Sequence, residues 1–201
     1  MLARNNKNTP RTLSRPLVTA RGGERGVTYR SGDAHVQYWI GTDIPIEFYA
    51  ERLLSAYRAW TTVSDGGLPC LSEMTNSDAD AAANDSLLFL KVDSDYLVVS
   101  QGTDHLRHIG TDLRGRKLSE FDVPVSHAMK ELHDICLTDK QAVYARFVSD
   151  LAPDSVYWEG LFVPLQADNG GHQLFVMTYS MPIDNKADIY QMILDRAPIG
   201  M

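Results

Sequence analysis

The pattern of apolar residues predicts an α+β protein, with a mostly antiparallel sheet of five strands and its helices grouped in the middle of the chain. Three observations carry this. Leu87-Leu88-Phe89-Leu90-Lys91-Val92 and Tyr96-Leu97-Val98-Val99-Ser100 read as strands joined by the polar turn Asp93-Ser94-Asp95. Further strands are expected over 142–148, 156–165 and 173–180, the last two joined by Asp168-Asn169-Gly170-Gly171, a hairpin signal. Between the two groups lie short helical pieces punctuated by Gly102, Gly110 and Gly115, then a longer helix from about Pro124 to Leu137. These helices are expected on one face of the sheet, and a small pocket between the layers follows from that arrangement.

Upstream, His35-Val36-Gln37-Tyr38-Trp39-Ile40 reads as a strand or as a segment packed on the main domain, ending at Gly41. Thr42 or Asp43 is placed to cap a helix with Pro45 in its first turn. Apolar residues then recur at Ile46, Tyr49, Ala50, Leu53, Leu54, Tyr57 and Trp60, steps of three and four that make one helix face. Asp65-Gly66-Gly67-Leu68-Pro69 stops that helix. Residues 72–85 read as a loop or one helical turn, and the pattern turns helical again from Ile183 through Leu194.

Hydrophobic content of 44% and charged content of 22% over 201 residues suffice for a packed core without staples. The two cysteines, Cys70 and Cys136, belong to no CxxC pattern, which fits a reducing compartment better than a disulfide scaffold. No window approaches the roughly 20 apolar residues of a membrane span, and the N-terminus lacks the apolar core of a secretory signal. A cytoplasmic protein is expected. The net charge of −7 is uneven: residues 1–31 carry seven Lys/Arg against Glu24, so the arm is +6 and the remainder −13. Residues 1–32 read as a basic flexible arm, while the acidic body argues against a nucleic-acid binder.

The segment from Tyr96 to Asp104, followed by Ile109-Gly110-Thr111-Asp112-Leu113-Arg114-Gly115-Arg116-Lys117-Leu118-Ser119-Glu120-Phe121, resembles the PAS family pattern. There a strand enters a short helix and Gly-x-Asp-Leu-x-Gly-x-x-Leu-x-Glu leads to the long helix. Gly110 and Gly115 supply the positive-φ bends that such abrupt helix ends need. Tyr157-Trp158-Glu159-Gly160-Leu161-Phe162-Val163-Pro164-Leu165 and the following Asp-Asn-Gly-Gly turn are similar to the PAS hairpin, and 46–60 with Gly66-Gly67-Leu68-Pro69 resembles the leader of a subgroup in proteobacterial regulators.

The resemblance covers roughly 45–182. It implies a helical leader over 33–82, a PAS domain over 83–182 and an exit helix over 183–201 with Asp184 and Asn185 at the signal exit. It further implies a homodimer, a small-molecule ligand, and a downstream output domain such as a diguanylate cyclase, cyclic-di-GMP phosphodiesterase or histidine kinase. A ligand-free dimerisation scaffold is the other reading.

The pocket candidates are His105, His108, Met129, Leu132, His133, Cys136 and Trp158. His105 and His108, at i and i+3, are spaced to share a metal with His133 or Cys136, or to ligate a haem; the plainer reading is two partly exposed histidines near a helix end. On the long helix the apolar arc of Val125, Ala128, Met129, Leu132, Ile135 and Cys136 centres on Leu132, and His133 falls about 100° away, on the shoulder. Cys136 lies inside the arc and reads as an inert buried thiol, since the Asn-Cys-Arg-Phe signature of flavin-binding PAS domains is absent. No motif calls for haem, flavin or a metal.

Trp158 and Glu159 face opposite sides of a strand, with Glu159 expected on an exposed face. Tyr38 and Trp39 are expected to pack on their own domain or to anchor an interface. The sequence has no P-loop, GxGxxG, HExxH or GxSxG, so a regulatory role is expected of these residues and not a catalytic one.

Overall fold

The apolar segments assemble into a single antiparallel sheet, seen in a computed structural model that describes residues 17–18, 27–31, 34–44, 50–64, 67–75, 83–121, 125–152, 155–168 and 173–183. The strands are β1 (Leu17–Val18), β2 (Val27–Ser31), β3 (Ala34–Ile40), β4 (Ser86–Val92), β5 (Asp95–Gln101), β6 (Val143–Ala152), β7 (Ser155–Gln166) and β8 (Leu174–Pro182). Their order across the sheet is β1-β2-β3-β6-β7-β8-β4-β5, with every neighbouring pair antiparallel. The helices are α1 (Glu51–Val63), α2 (Leu71–Thr75), α3 (Thr103–Ile109) and α4 (Val125–Asp139). None of them is long and apolar enough to cross a membrane.

The five strands expected from sequence form one contiguous block, and its ends follow local chemistry. The β4–β5 hairpin turns at Asp93, whose φ of 53° is the left-handed conformation a two-residue turn requires. Gly110, with φ 72°, ends α3 and donates its N–H to Leu106 O at 2.8 Å. Pro164 lies past Phe162, the last β7 residue paired with β6 at that end, so its missing amide leaves that ladder intact. Its carbonyl accepts the Trp60 indole N–H at 3.2 Å.

Two expectations are corrected. The sheet has eight strands among the described residues, not five: β3 extends it through pairs running from Val36–Phe147 to Ile40–Val143. Then β2 and β1 add on within the stretch read as a flexible arm.

Helices also cover both faces and not one. On the first face, α3 and α4 bury Ile109, Ala128, Leu132 and Cys136 against Phe89, Val98, Phe147 and Phe162. On the second, α1 buries Leu53, Ala56 and Trp60 against Tyr144, Leu161, Val163 and Tyr179. The cause is visible in β7, where Leu161, Phe162 and Val163 are all fully buried. A strand apolar on both sides needs cover on both. Tyr38 packs on the first face and Trp39 on the second, so this pair serves the chain's own core. The exit helix expected beyond Ile183 lies outside the described residues.

Polar contacts fix the two covers. Arg52 of α1 pairs with buried Asp85, just before β4, at 2.8 Å. Asp134 of α4 accepts hydrogen bonds from Lys91, Lys130 and Tyr96. Burial pushes the Asp134 carboxyl up, but the hydrogen bonds from Lys130, Lys91 and Tyr96 outweigh it and hold it at about 2. At the start of α3 the backbone is in close contact: a Cβ on Gly102 would lie 2.3 Å from Asn84 O and 2.5 Å from Ala83 O. Asn84 O also accepts the Asp104 and His105 N–H groups, so neither side can retreat without breaking bonds. Gly102→Ala is therefore expected to destabilise the chain by about 1–3 kcal/mol, read as a lower urea midpoint at unchanged slope.

Candidate functional site

Between the sheet and α3–α4 lies a cavity of about 50 Å³. Its walls are chiefly apolar: Leu87 and Phe89 from β4, Ile109 from α3, Met129 from α4, Phe147 from β6 and Trp158 from β7. The polar atoms come from His105, Ser126, His133, Thr178 and Ser180. Among the described residues, no Asp, Glu, Lys or Arg lines it.

Of the residues singled out from sequence, His105, Met129, His133 and Trp158 line this cavity. His108 is half-buried beside it, its ring edge-on to Trp158 at 6.4 Å. Leu132 and Cys136 are buried in the core without lining the cavity. Burial pushes the Cys136 thiol well up, with Asp139 adding to the effect, so it stays an unreactive SH; both cysteines are free. Asp184 and Asn185 lie outside the described residues.

Three readings of single residues change. The shoulder of α4 that carries His133 is fully enclosed, the imidazole ring 4.5 Å from Phe89, 4.8 Å from Tyr96 and 5.3 Å from Phe162. His105 is 3% exposed and not a surface residue. Glu159 is buried as well, on the α1 face: Oε2 accepts the Ala50 N–H at 2.7 Å and Oε1 accepts the Tyr144 hydroxyl in a very short hydrogen bond. Arg146 Nε donates to Tyr144 Oη at 2.8 Å while its guanidinium lies over Trp39, so this group anchors the start of α1 to the sheet.

The hydrogen bonds settle both imidazole tautomers. A carbonyl only accepts, so His133 Nδ1, 2.6 Å from Met129 O, carries the proton. In the neutral ring Nε2 then accepts, and Thr178 Oγ1 donates to it at 3.3 Å. His105 is the reverse. Gln101 is oriented by accepting the Leu113 N–H at its Oε1 (2.8 Å) and donating from Nε2 to Thr111 O (3.1 Å). The same amide nitrogen faces His105 Nδ1 at 3.2 Å, so Nδ1 accepts and Nε2 carries the proton. Among the described residues that Nε2–H has no partner.

Desolvation lowers both histidines from 6.5 to about 4, with His108 nearby adding to the effect at His105 and the Met129 carbonyl opposing it at His133. Both rings are neutral at pH 7.

Sequence reasoning missed Ser126, Thr178 and Ser180. In β8, Val176, Thr178 and Ser180 share one face, and Met177 and Tyr179 the other. Polar residues alternating with apolar ones ordinarily mark a solvent face. Here α3 and α4 cover that face, and Thr178 and Ser180 are 4% and 6% exposed. The usable signal was a polar face on a strand with covering helices on hand.

A haem or flavin does not fit. The cavity is far smaller than either ring system, His133 uses both nitrogens, and the one lone pair of His105, at Nδ1, is taken by the Gln101 amide. Among the described residues, no group of three or more His, Cys, Asp or Glu is placed to hold a metal. Compared with known proteins, the chain matches no family model, no curated protein and no solved structure.

The two histidines set a pH dependence. The unfolded chain takes up protons at both rings below about pH 6.5, whereas the folded chain resists until about 4. Stability is thus full above pH 6.5 and falls as pH drops towards 4, by on the order of 3 kcal/mol at most for each ring. Urea midpoints measured from pH 7.5 to 4 check this, and His105→Gln is expected to reduce the slope by about half. The Asp134 contribution is lost only below about pH 4, outside that window.

Proposed function

We propose that the chain is a regulatory sensor module of the PAS type, which takes a small molecule between its sheet and helices and passes the change to the segment beyond Ile183. The observation that carries this reading is the apolar cavity with inward-facing polar groups whose hydrogen-bonding capacity is only partly used. The sequence resemblance supports it, as does the block of five strands in one sheet with the middle helices across one face.

The route outward is short. β8 brings Thr178 and Ser180 to the cavity, and three residues after Ser180 comes Ile183, whose N–H donates to Tyr157 O at 2.8 Å. Ser180 N–H is held by Asp85 O at 3.0 Å, and Asp85 pairs with Arg52 of α1, so the cavity wall also adjoins the α1 cover. A ligand shifts such a module only by its differential affinity for two arrangements of these contacts. In this reading the chain acts as a dimer, and the domain it controls is a diguanylate cyclase, cyclic-di-GMP phosphodiesterase or histidine kinase.

The test combines native mass spectrometry with thermal unfolding. A small-molecule extract of cells is expected to add mass to the chain and raise Tm by about 5 °C. Met129→Trp, which fills the cavity, removes both effects. A dimer with no added mass favours the ligand-free scaffold, and a ligand-free monomer overturns both readings.

A further inference from the structure

The cavity's chemistry narrows its occupant, and this inference rests on the sensor reading above. We infer that the site takes an uncharged molecule of about two or three heavy atoms, with an apolar body and one hydrogen-bond acceptor for His105 Nε2–H. Size comes first: at about 50 Å³ the space is roughly a third of a cavity that houses benzene. Charge comes second. No ionisable carboxylate, ammonium or guanidinium lines the space among the described residues, and both histidines that do are neutral. An anion or cation would lose its hydration with no countercharge to replace it. Phosphates, carboxylates and amines are thereby disfavoured.

Polarity comes third. His133 is satisfied at both nitrogens, by Met129 O and by Thr178 Oγ1. His105 is not: Gln101 fixes it with Nε2 protonated, and that donor is unmet among the described residues. A donor without a partner on a residue only 3% exposed favours a guest that brings an acceptor. Around it Leu87, Phe89, Ile109 and Trp158 offer only apolar surface to the rest of the guest.

Three linear probes of one size test this: acetonitrile, its alkyne isostere propyne, and thiocyanate, each titrated into the 201-residue chain while the ring resonances of His105 and Trp158 are followed by NMR. Acetonitrile is expected to bind roughly tenfold tighter than thiocyanate. His105→Leu is expected to weaken acetonitrile about tenfold and leave the alkyne unchanged, whereas His105→Gln, which keeps an N–H donor, restores acetonitrile to within about threefold. Thiocyanate binding as well as acetonitrile, or His105→Leu leaving acetonitrile unaffected, overturns the assigned ligand class and leaves the cavity standing as a binding site. Silence of both rings to all three probes at tens of millimolar overturns the cavity itself, and with it the sensor reading.

Discussion

Two-sided burial of the central strands is the constraint on which the rest of the structure depends. In β7, Trp158 and Phe162 point to one side and Leu161, Val163 and Leu165 to the other, all with almost no exposure. At about 25 cal/mol per Å² of apolar surface, leaving either side wet would cost several kcal/mol. The chain therefore supplies two covers, α3–α4 on one face and α1 on the other. Each cover encloses polar groups, and a buried polar group without a partner is costly. Glu159 meets Tyr144 and the Ala50 N–H under α1, and Thr178 meets His133 under α4. The contacts that join the layers are largely those required by what was buried.

At the candidate site the two histidines differ in how their nitrogens are met. Under α4 the imidazole of His133 completes a closed set of contacts, but on α3 the fixed tautomer of His105, which lines the cavity, leaves its Nε2–H without a partner among the described residues. α3 is held through Asn84 O and Gly102 at its start and Gly110 at its end. Its imidazole is thus carried on a short element with backbone contacts at both ends, a geometry suited to holding one donor in place. Neutrality of the ring follows from the same enclosure, since charging it would require the hydration that the covers exclude.

Much of the block from β4 to β8 was legible because its signals are local. Alternation, the Asp93 turn, Gly110 and Gly115 at positive φ, and the apolar stripe of α4 each depend on a few neighbouring residues. β1 and β2 were missed because the basic stretch was read by its charge: β1 is only two residues long, Val27, Thr28 and Tyr29 of β2 do favour a strand, and the pair is joined to the sheet through β2 on β3, which itself pairs with β6. The enclosure of His133 was missed for a different reason. A helical projection treats the sides of the apolar arc as solvent, yet Phe89, Tyr96 and Phe162 of the sheet wrap around that shoulder.

The order of residues alone determined which segments become strands, where the chain turns and which side chains are apolar, because backbone sterics and side-chain shape act over a few positions. Only the tertiary structure decided that Thr178, Ser180, His105 and Glu159 are interior. Whether a polar face is wet depends on which distant element lies over it, and that is set by the competition among all apolar faces for cover. The direction of the His105 proton belongs to this second class, since it follows from Leu113 and Thr111 orienting Gln101.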